Sequence, residues 1–135
     1  MLAIRIKGFK KDGTTPQAQK ILSEMGLRQI NNAVFLRATP ETLRKIAMTQ
    51  DYITYGYPTK KIVNELVRKR GFLRKENKKE PITNNVLIEE LFDEFNKAND
   101  VGCICIEDVI DGIANCHKTE KMELFDEINK ILWPM

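Results

Sequence analysis

The chain opens on an alternation. In "LAIRIKG" (residues 2–8), Leu2, Ile4 and Ile6 fall on one side and Ala3, Arg5 and Lys7 on the other, which is the period-2 pattern of a half-buried strand with a basic outer face. From Thr15 the period lengthens. Thr15 and Pro16 read as an N-cap and a first-turn proline, and Ala18, Ile21, Leu22 and Met25 recur at i, i+3, i+4 and i+7, so an amphipathic helix is expected, ended by Gly26. "AVFLR" (33–37) is a second short strand. Thr39 and Pro40 repeat the cap and open a second helix with Leu43, Ile46 and Ala47 as its apolar positions, and "YITYG" (52–56) is a third strand, rich in residues of high β-propensity. The order is β-α-β-α-β. The two helices echo each other in "TPQAQKI" and "TPETLRKI", but two copies do not make a repeat protein.

Beyond this core the period stays helical. Pro58 is expected in the first turn of a helix whose apolar face is Ile62, Val63, Leu66 and Val67, with Lys60, Asn64 and Arg68 on the opposite stripe and Gly71 as C-cap. "LRKENKKEP" (73–81) has no apolar period after its leucine and reads as an exposed basic loop. Thr83 is placed as the cap of a helix marked by Leu87, Leu91 and Phe95, and "VGCICI" (101–106) is strand-like. Ile106, Val109, Ile110 and Ile113 mark one further helix; Leu124, Phe125, Ile128, Ile131 and Leu132 mark another, stopped by Pro134. Residues 1–58 are thus expected as the β-α-β-α-β core, 59–79 as a basic helix and loop, and 80–135 as an acidic, mainly helical part packed on the core.

Composition sharpens this picture where it is uneven. With 135 residues and 42% apolar content the chain can bury a core. No apolar run approaches the roughly 18 to 20 residues of a membrane span, and Met1 leads into strand-like sequence rather than a signal-peptide pattern, so a cytoplasmic protein without membrane partners is expected. Cys103, Cys105 and Cys116 are odd in number and read as free thiols. The formal charge of +3 conceals an asymmetry: residues 1–59 carry 9 basic and 4 acidic groups, 60–79 carry 9 and 2, and 80–135 carry 4 and 13. Such a division suggests a basic face committed to a polyanion, with the acidic part turned to solvent or a protein neighbour.

Enzymatic signals fail on inspection. "GFKKDGTT" (8–15) has two glycines at phosphate-loop separation, but Thr14 stands where Lys is needed to reach the β and γ phosphates, and an Asp-Gly turn before a capped helix accounts for it. A zinc site from Cys103, Cys105, Cys116 and His117 lacks knuckle spacing, and adjacent residues on a helix diverge by about 100°. His117, the single histidine, has no serine or cysteine patterned as a nucleophile. The acids of "EELFDE" (89–94) and "EDVID" (107–111) read as wet helix faces. No catalytic residue, metal, cofactor or small-molecule substrate is therefore assigned. The basic groups interleaved with Tyr52, Tyr55, Tyr57 and Phe72 remain, and they suit phosphate contact and base stacking, although a lone tyrosine in such a place is more often core.

The segments "GLRQINNAVFLR" (26–37), "YITYGYPTKKIVNELVRKRG" (52–71), "ITNNVLIEEL" (82–91), "CICIEDVI" (103–110) and "LWP" (132–134) together resemble the large-subunit ribosomal protein family called L-seven in eukaryotes and L-thirty in bacteria, in its eukaryotic version. The resemblance implies an α+β fold, a β-α-β-α-β core with a three-stranded antiparallel sheet of ferredoxin-like kind. It also implies a non-catalytic role as a structural constituent of the large ribosomal subunit, with large-subunit rRNA and neighbouring ribosomal proteins as partners and assembly through the nucleolus. Eukaryotic members usually carry a long basic N-terminal extension and a glycine- and lysine-rich tail past the Trp-Pro pair. Neither is in this sequence, which points to a pared-down ribosome or a shortened chain, and contacts made by those segments are not carried over. The loop Gly26–Asn32 and the segment around Lys69 and Arg70 match the places where RNA contact is expected. The full candidate set is Arg5, Lys7, Lys10, Lys11, Arg28, Gln29, Asn31, Asn32, Lys60, Lys61, Arg68, Lys69, Arg70, Arg74 and Lys75. The alternatives are a ribosome-assembly factor of the same family and, less well supported, a small nucleotide-binding protein using Gly8–Thr15.

Overall fold

Threonine hydroxyls start the first three helices. The computed structural model describes residues 1–8, 15–99, 102–116 and 122–135. Within them the order is β1 (Leu2–Arg5), α1 (Pro16–Glu24), β2 (Ala33–Phe35), α2 (Pro40–Thr49), β3 (Ile53–Gly56), α3 (Lys60–Arg70), β4 (Phe72–Lys75), β5 (Lys78–Pro81), α4 (Asn85–Asn99), α5 (Ile106–Ala114) and α6 (Met122–Ile131). Thr15 Oγ1 accepts from Ala18 N at 3.2 Å and Thr39 Oγ1 from Thr42 N at 3.2 Å, each with proline as the first helical residue. At α3 the cap is Thr59, whose Oγ1 accepts from Ile62 N at 3.4 Å. Pro58 therefore precedes the helix instead of occupying its first turn, because the hydroxyl that can take an orphan N–H lies one residue later. The same logic moves the α4 cap from Thr83 to Asn84, whose Oδ1 accepts from Leu87 N at 3.4 Å.

Two compact units form, one from Met1–Tyr57 with Pro134–Met135 and one from Pro58–Trp133. In the first, β1 is the middle strand of a three-stranded sheet ordered β2-β1-β3, antiparallel on both sides, with Ala3 opposite Val34 and Tyr55. This is the α+β core expected of the resemblance. Met135 adds a backbone pair to Ala33, N to O at 2.9 Å and 3.0 Å. The core is Ala3, Ile21, Leu22, Met25, Leu27, Ile46 and Ile53, with Val34, Leu36 and Tyr52 packed against it.

The face of β1 turned to the helices is the reverse of that expected. Ala3 and Arg5 are buried, and Ile6 is 57% exposed. Leu2, Ala33 and Phe35, on the other face, are buried as well. A strand covered on both sides does not announce its inner face by alternation, and a central alanine lets the side chains of α1 approach closely. On α2, Ile46 and Thr49 point inward while Leu43 and Ala47 are exposed. Thr49 satisfies its hydroxyl by donating to Lys45 O at 2.8 Å, so only its methyl group has to be accommodated as apolar surface.

In the second unit α3 buries Val63 and Val67, leaves Leu66 half-buried and exposes Ile62. The stretch read as a basic loop is a hairpin: β4 and β5 pair antiparallel across Glu76 and Asn77, both at positive φ (48° and 63°), as a two-residue primed turn requires. Gly-free turn residues and charged side chains on both faces hid it. "VGCICI" yields no strand over its described residues. Asn96 instead brackets Cys103, donating from Nδ2 to its carbonyl at 2.9 Å and accepting its N–H at 3.2 Å. Asp108 Oδ2 accepts from Ile104 N (3.1 Å) and Cys105 N (3.2 Å), so side chains supply the partners a neighbouring strand would have offered. The α5–α6 crossing is close: a Cβ on Gly112 would lie 2.8 Å from Ile128 Cδ1 and 3.0 Å from Leu124 Cδ2. No helix among the described residues is long and apolar enough to cross a membrane.

Burial separates two leucines that the periodic pattern treats alike. Leu22→Ala, at a fully buried site, is expected to cost about 2–5 kcal/mol in chemical denaturation. Leu43→Ala, at a site 47% exposed, should stay within about 0.5 kcal/mol of the parent.

Candidate nucleic-acid interface

A buried cation builds the first surface. Arg5 is 1% exposed. Its Nη1 donates to Leu27 O at 2.9 Å and Arg28 O at 2.6 Å, and its Nε donates to Lys7 O at 3.0 Å. Burial lowers its pKa from the ordinary arginine value, yet a guanidinium stays protonated. Its backbone joins in, with Arg5 N donating to Asn32 O (2.9 Å) and Asn31 N donating to Arg5 O (2.8 Å). Gly26, at φ +82°, turns the chain out of α1, and Leu27 N returns to Leu22 O at 2.8 Å. Leu27 is fully buried, and Arg28, Gln29, Ile30 and Asn31 are exposed. Asn31 takes positive φ (65°), a conformation asparagine tolerates. The loop therefore presents polar groups from a fixed frame, while Asn32 is half-buried and serves the frame itself. Arg5, expected to face RNA, is instead an internal residue, 1% exposed with its Nε and Nη1 directed at three backbone carbonyls. Lys7 is exposed, its Nζ 6.0 Å from the Tyr52 ring centroid. Lys10 and Lys11 lie outside the described residues, as does most of the Gly8–Thr15 segment.

The second surface, in the other unit, is sorted by α5. Lys60 Nζ meets Asp111 Oδ1 at 3.3 Å, and Arg68 pairs with Glu107 while its Nε donates to Asn64 Oδ1 at 2.7 Å. The stripe Lys60–Asn64–Arg68 thus faces the acids of α5, and the Arg68 hydrogen bond holds the Glu107 carboxyl below its ordinary pKa. Lys75 pairs with Glu90 at 2.8 Å, and that hydrogen bond raises the lysine. These acids were expected to face solvent or a neighbour; part of them instead neutralises cations of the same unit. Lys61 and Arg70 are exposed without an acidic partner among the described residues, and Lys69 makes only a loose contact with Glu65 at 3.7 Å. Lys69 and Arg70 close the last turn of α3, where the helix dipole favours cations.

Of the tyrosines named with the basic groups, Tyr55 and Tyr57 are 50% and 80% exposed, while Tyr52 packs against the core, the commoner place for a lone tyrosine. Lys79 was passed over beside Arg74, which is exposed on β4. Reading Glu76–Asn77 as a two-residue turn would have paired Arg74 with Lys79, as the hairpin register does. Cys103 is buried and its thiol is pushed up to about 12, chiefly by desolvation, so it offers no thiolate near neutrality. His117 lies outside the described residues, and no three Cys, His, Asp or Glu side chains converge on a metal position among those described.

The described residues thus combine an antiparallel β2-β1-β3 sheet, a loop posted on a buried arginine and, in the other unit, cations spaced along a helix. The family model described as ribosomal protein L30p/L7e matches residues 1–53. Similar proteins include the large ribosomal subunit protein uL30 of Dictyostelium discoideum, 34% identical over 97% of this chain and 48% of that protein. Those of Neurospora crassa and Drosophila melanogaster are 37% and 34% identical over 97% of this chain, covering 48% and 47% of theirs. The likeness to the ribosomal protein L30p/L7e family thus rests on the match of residues 1–53 and on relatives aligned over 97% of the chain. The chain spans about half the length of the curated relatives it matches.

If Arg5 holds the Gly26–Asn32 loop, removing its donors should strand the buried Leu27 carbonyl and the part-buried Arg28 carbonyl. Arg5→Met is expected to lose about 2–4 kcal/mol of stability and to speed hydrogen exchange at the Asn31 amide, while Arg28→Ala stays within about 0.5 kcal/mol.

Proposed function

We propose that the chain is a structural constituent of the large ribosomal subunit that binds and stabilises large-subunit rRNA. Likeness to a ribosomal protein family that is generally structural rather than enzymatic supports this reading. So do the names of its relatives, which are large ribosomal subunit proteins. The observation that carries it is the division of the cations. Lys60, Arg68 and Lys75 pair with acids of their own unit, while Lys7, Arg28, Lys61 and Arg70 are exposed with no acidic partner among the described residues and Lys69 has only the loose contact with Glu65. Cations held in register can replace the counterions that let RNA strands approach one another, and the fold supplies the register without any chemistry. Gln29 and Asn31, exposed beside Arg28, add neutral hydrogen-bonding groups to the same loop. Neighbouring ribosomal proteins and an assembly route through the nucleolus belong to the same proposal.

Cosedimentation of the chain with large subunits through a high-salt gradient tests the role, and failure to comigrate would remove it. The residue map is tested by the salt dependence of affinity for large-subunit rRNA. Lys61→Ala and Arg70→Ala should each lower the slope of log K against log salt by about 0.7–0.9. Lys60→Ala and Arg68→Ala, whose charges are already matched, should change it by less than about 0.3. Equal effects at all four positions would overturn the map.

A further inference from the structure

The hairpin carries an arrangement that neither the loop nor α3 accounts for. Leu73 faces Leu132 across an isolated antiparallel bridge, and Trp133 N donates to Phe72 O at 2.8 Å. The chain leaving α6 therefore runs as a short third partner beside β4. Leu73 and Leu132 turn inward, both buried. Phe72 and Trp133, next to them in this pairing, come out together on the opposite face. Arg74 shares that face, and Lys79 stands directly opposite it on β5. The Arg74 guanidinium carbon is 4.9 Å from the Trp133 ring centroid, and Lys79 Nζ is 5.2 Å from the same ring and 5.7 Å from that of Phe72.

Two like charges directly opposed across a hairpin are destabilising, and neither has an acidic partner among the described residues. The rings offset part of that repulsion, since an aromatic face attracts a cation. They also set its direction. A guanidinium lying on a ring uses its flat surface there and keeps its in-plane N–H donors for something else. Phe72, meanwhile, is 40% exposed. What the pair lacks is an anion, and what the rings lack is a planar neighbour. One molecule supplies both.

We propose that the face formed by Phe72, Arg74, Lys79 and Trp133 binds a single-stranded segment of RNA, Arg74 and Lys79 bonding a backbone phosphate while an unpaired base stacks on the aromatic and guanidinium layer. The proposal rests on the RNA-binding reading above and adds a second kind of contact to it. A paired stem would keep its bases stacked inside the helix and use only the two charges. An acidic protein segment would likewise leave the rings without a planar partner.

The chain has one tryptophan, and it lies in this patch, so its emission reports on the site. The full chain is titrated with a short single-stranded oligoribonucleotide, the matching duplex and poly-glutamate. Saturable quenching by the single strand is expected, with the midpoint weakened about 5- to 30-fold in Arg74→Ala/Lys79→Ala and the salt slope reduced by about 1.4. Both substitutions are at exposed positions, and far-ultraviolet circular dichroism checks the fold. Quenching that survives the double substitution, or equals that produced by duplex or poly-glutamate, overturns the site. Salt-dependent binding of large-subunit rRNA with unchanged Trp133 emission sinks this patch and leaves the RNA-binding reading standing. Absence of RNA binding by any readout removes both.

Discussion

The first unit depends on a guanidinium out of water. Arg5 sits on the strand that pairs with both its neighbours, and its side chain crosses to the carbonyls of Leu27 and Arg28 just past the exit of α1. Carbonyls beyond a helix end have no partner in the helix, and leaving them unpaired inside a protein is expensive. An apolar residue at position 5 would suit the neighbouring core better and would leave those carbonyls stranded. A charged donor tolerates burial here because each bond it makes relieves a group that would otherwise be without one. The loop that follows inherits its shape from this anchor.

Electrostatics organise the second unit in a different way. Its cations and acids alternate between internal use and exposure. Glu107 and Asp111 of α5 draw Arg68 and Lys60 to one side of α3, which leaves Lys61 and Arg70 without an acidic partner among the described residues. These surface ion pairs add little to stability individually, but they determine which charges are already matched. The acidic half of the sequence is therefore less a separate outward face than a selector acting on the basic half. On the hairpin the selection runs the other way, since Arg74 and Lys79 lie on aromatic rings rather than carboxylates and keep their charge available.

Local grammar was legible. Thr15–Pro16 and Thr39–Pro40 signalled two helix starts because a hydroxyl followed by a residue lacking an N–H suits the first turn, and Gly26 signalled a turn that needs positive φ. The apolar positions of α5 and α6 lay at helical spacing and are inside, except Ile131, which is half-buried. The hairpin was not legible, because charged side chains at Arg74, Lys75, Lys78 and Lys79 mask a pairing made by the backbone. Nor was the segment at Cys103, where Asn96, from a different stretch of chain, supplies the hydrogen bonds of an absent strand.

The amino-acid sequence by itself carried the family resemblance, the order of elements through β3 and the separation of charge along the chain, since each rests on residues adjacent in sequence or on their count. Tertiary structure alone decided which side of β1 is inside, which lysines meet an acid and which rings stay uncovered. These are questions of what lies opposite a side chain. Arg5 and Lys7 have the same spacing, charge and strand-like setting in the sequence; only the carbonyls of a loop more than twenty residues away make one of them an internal post and leave the other on the surface.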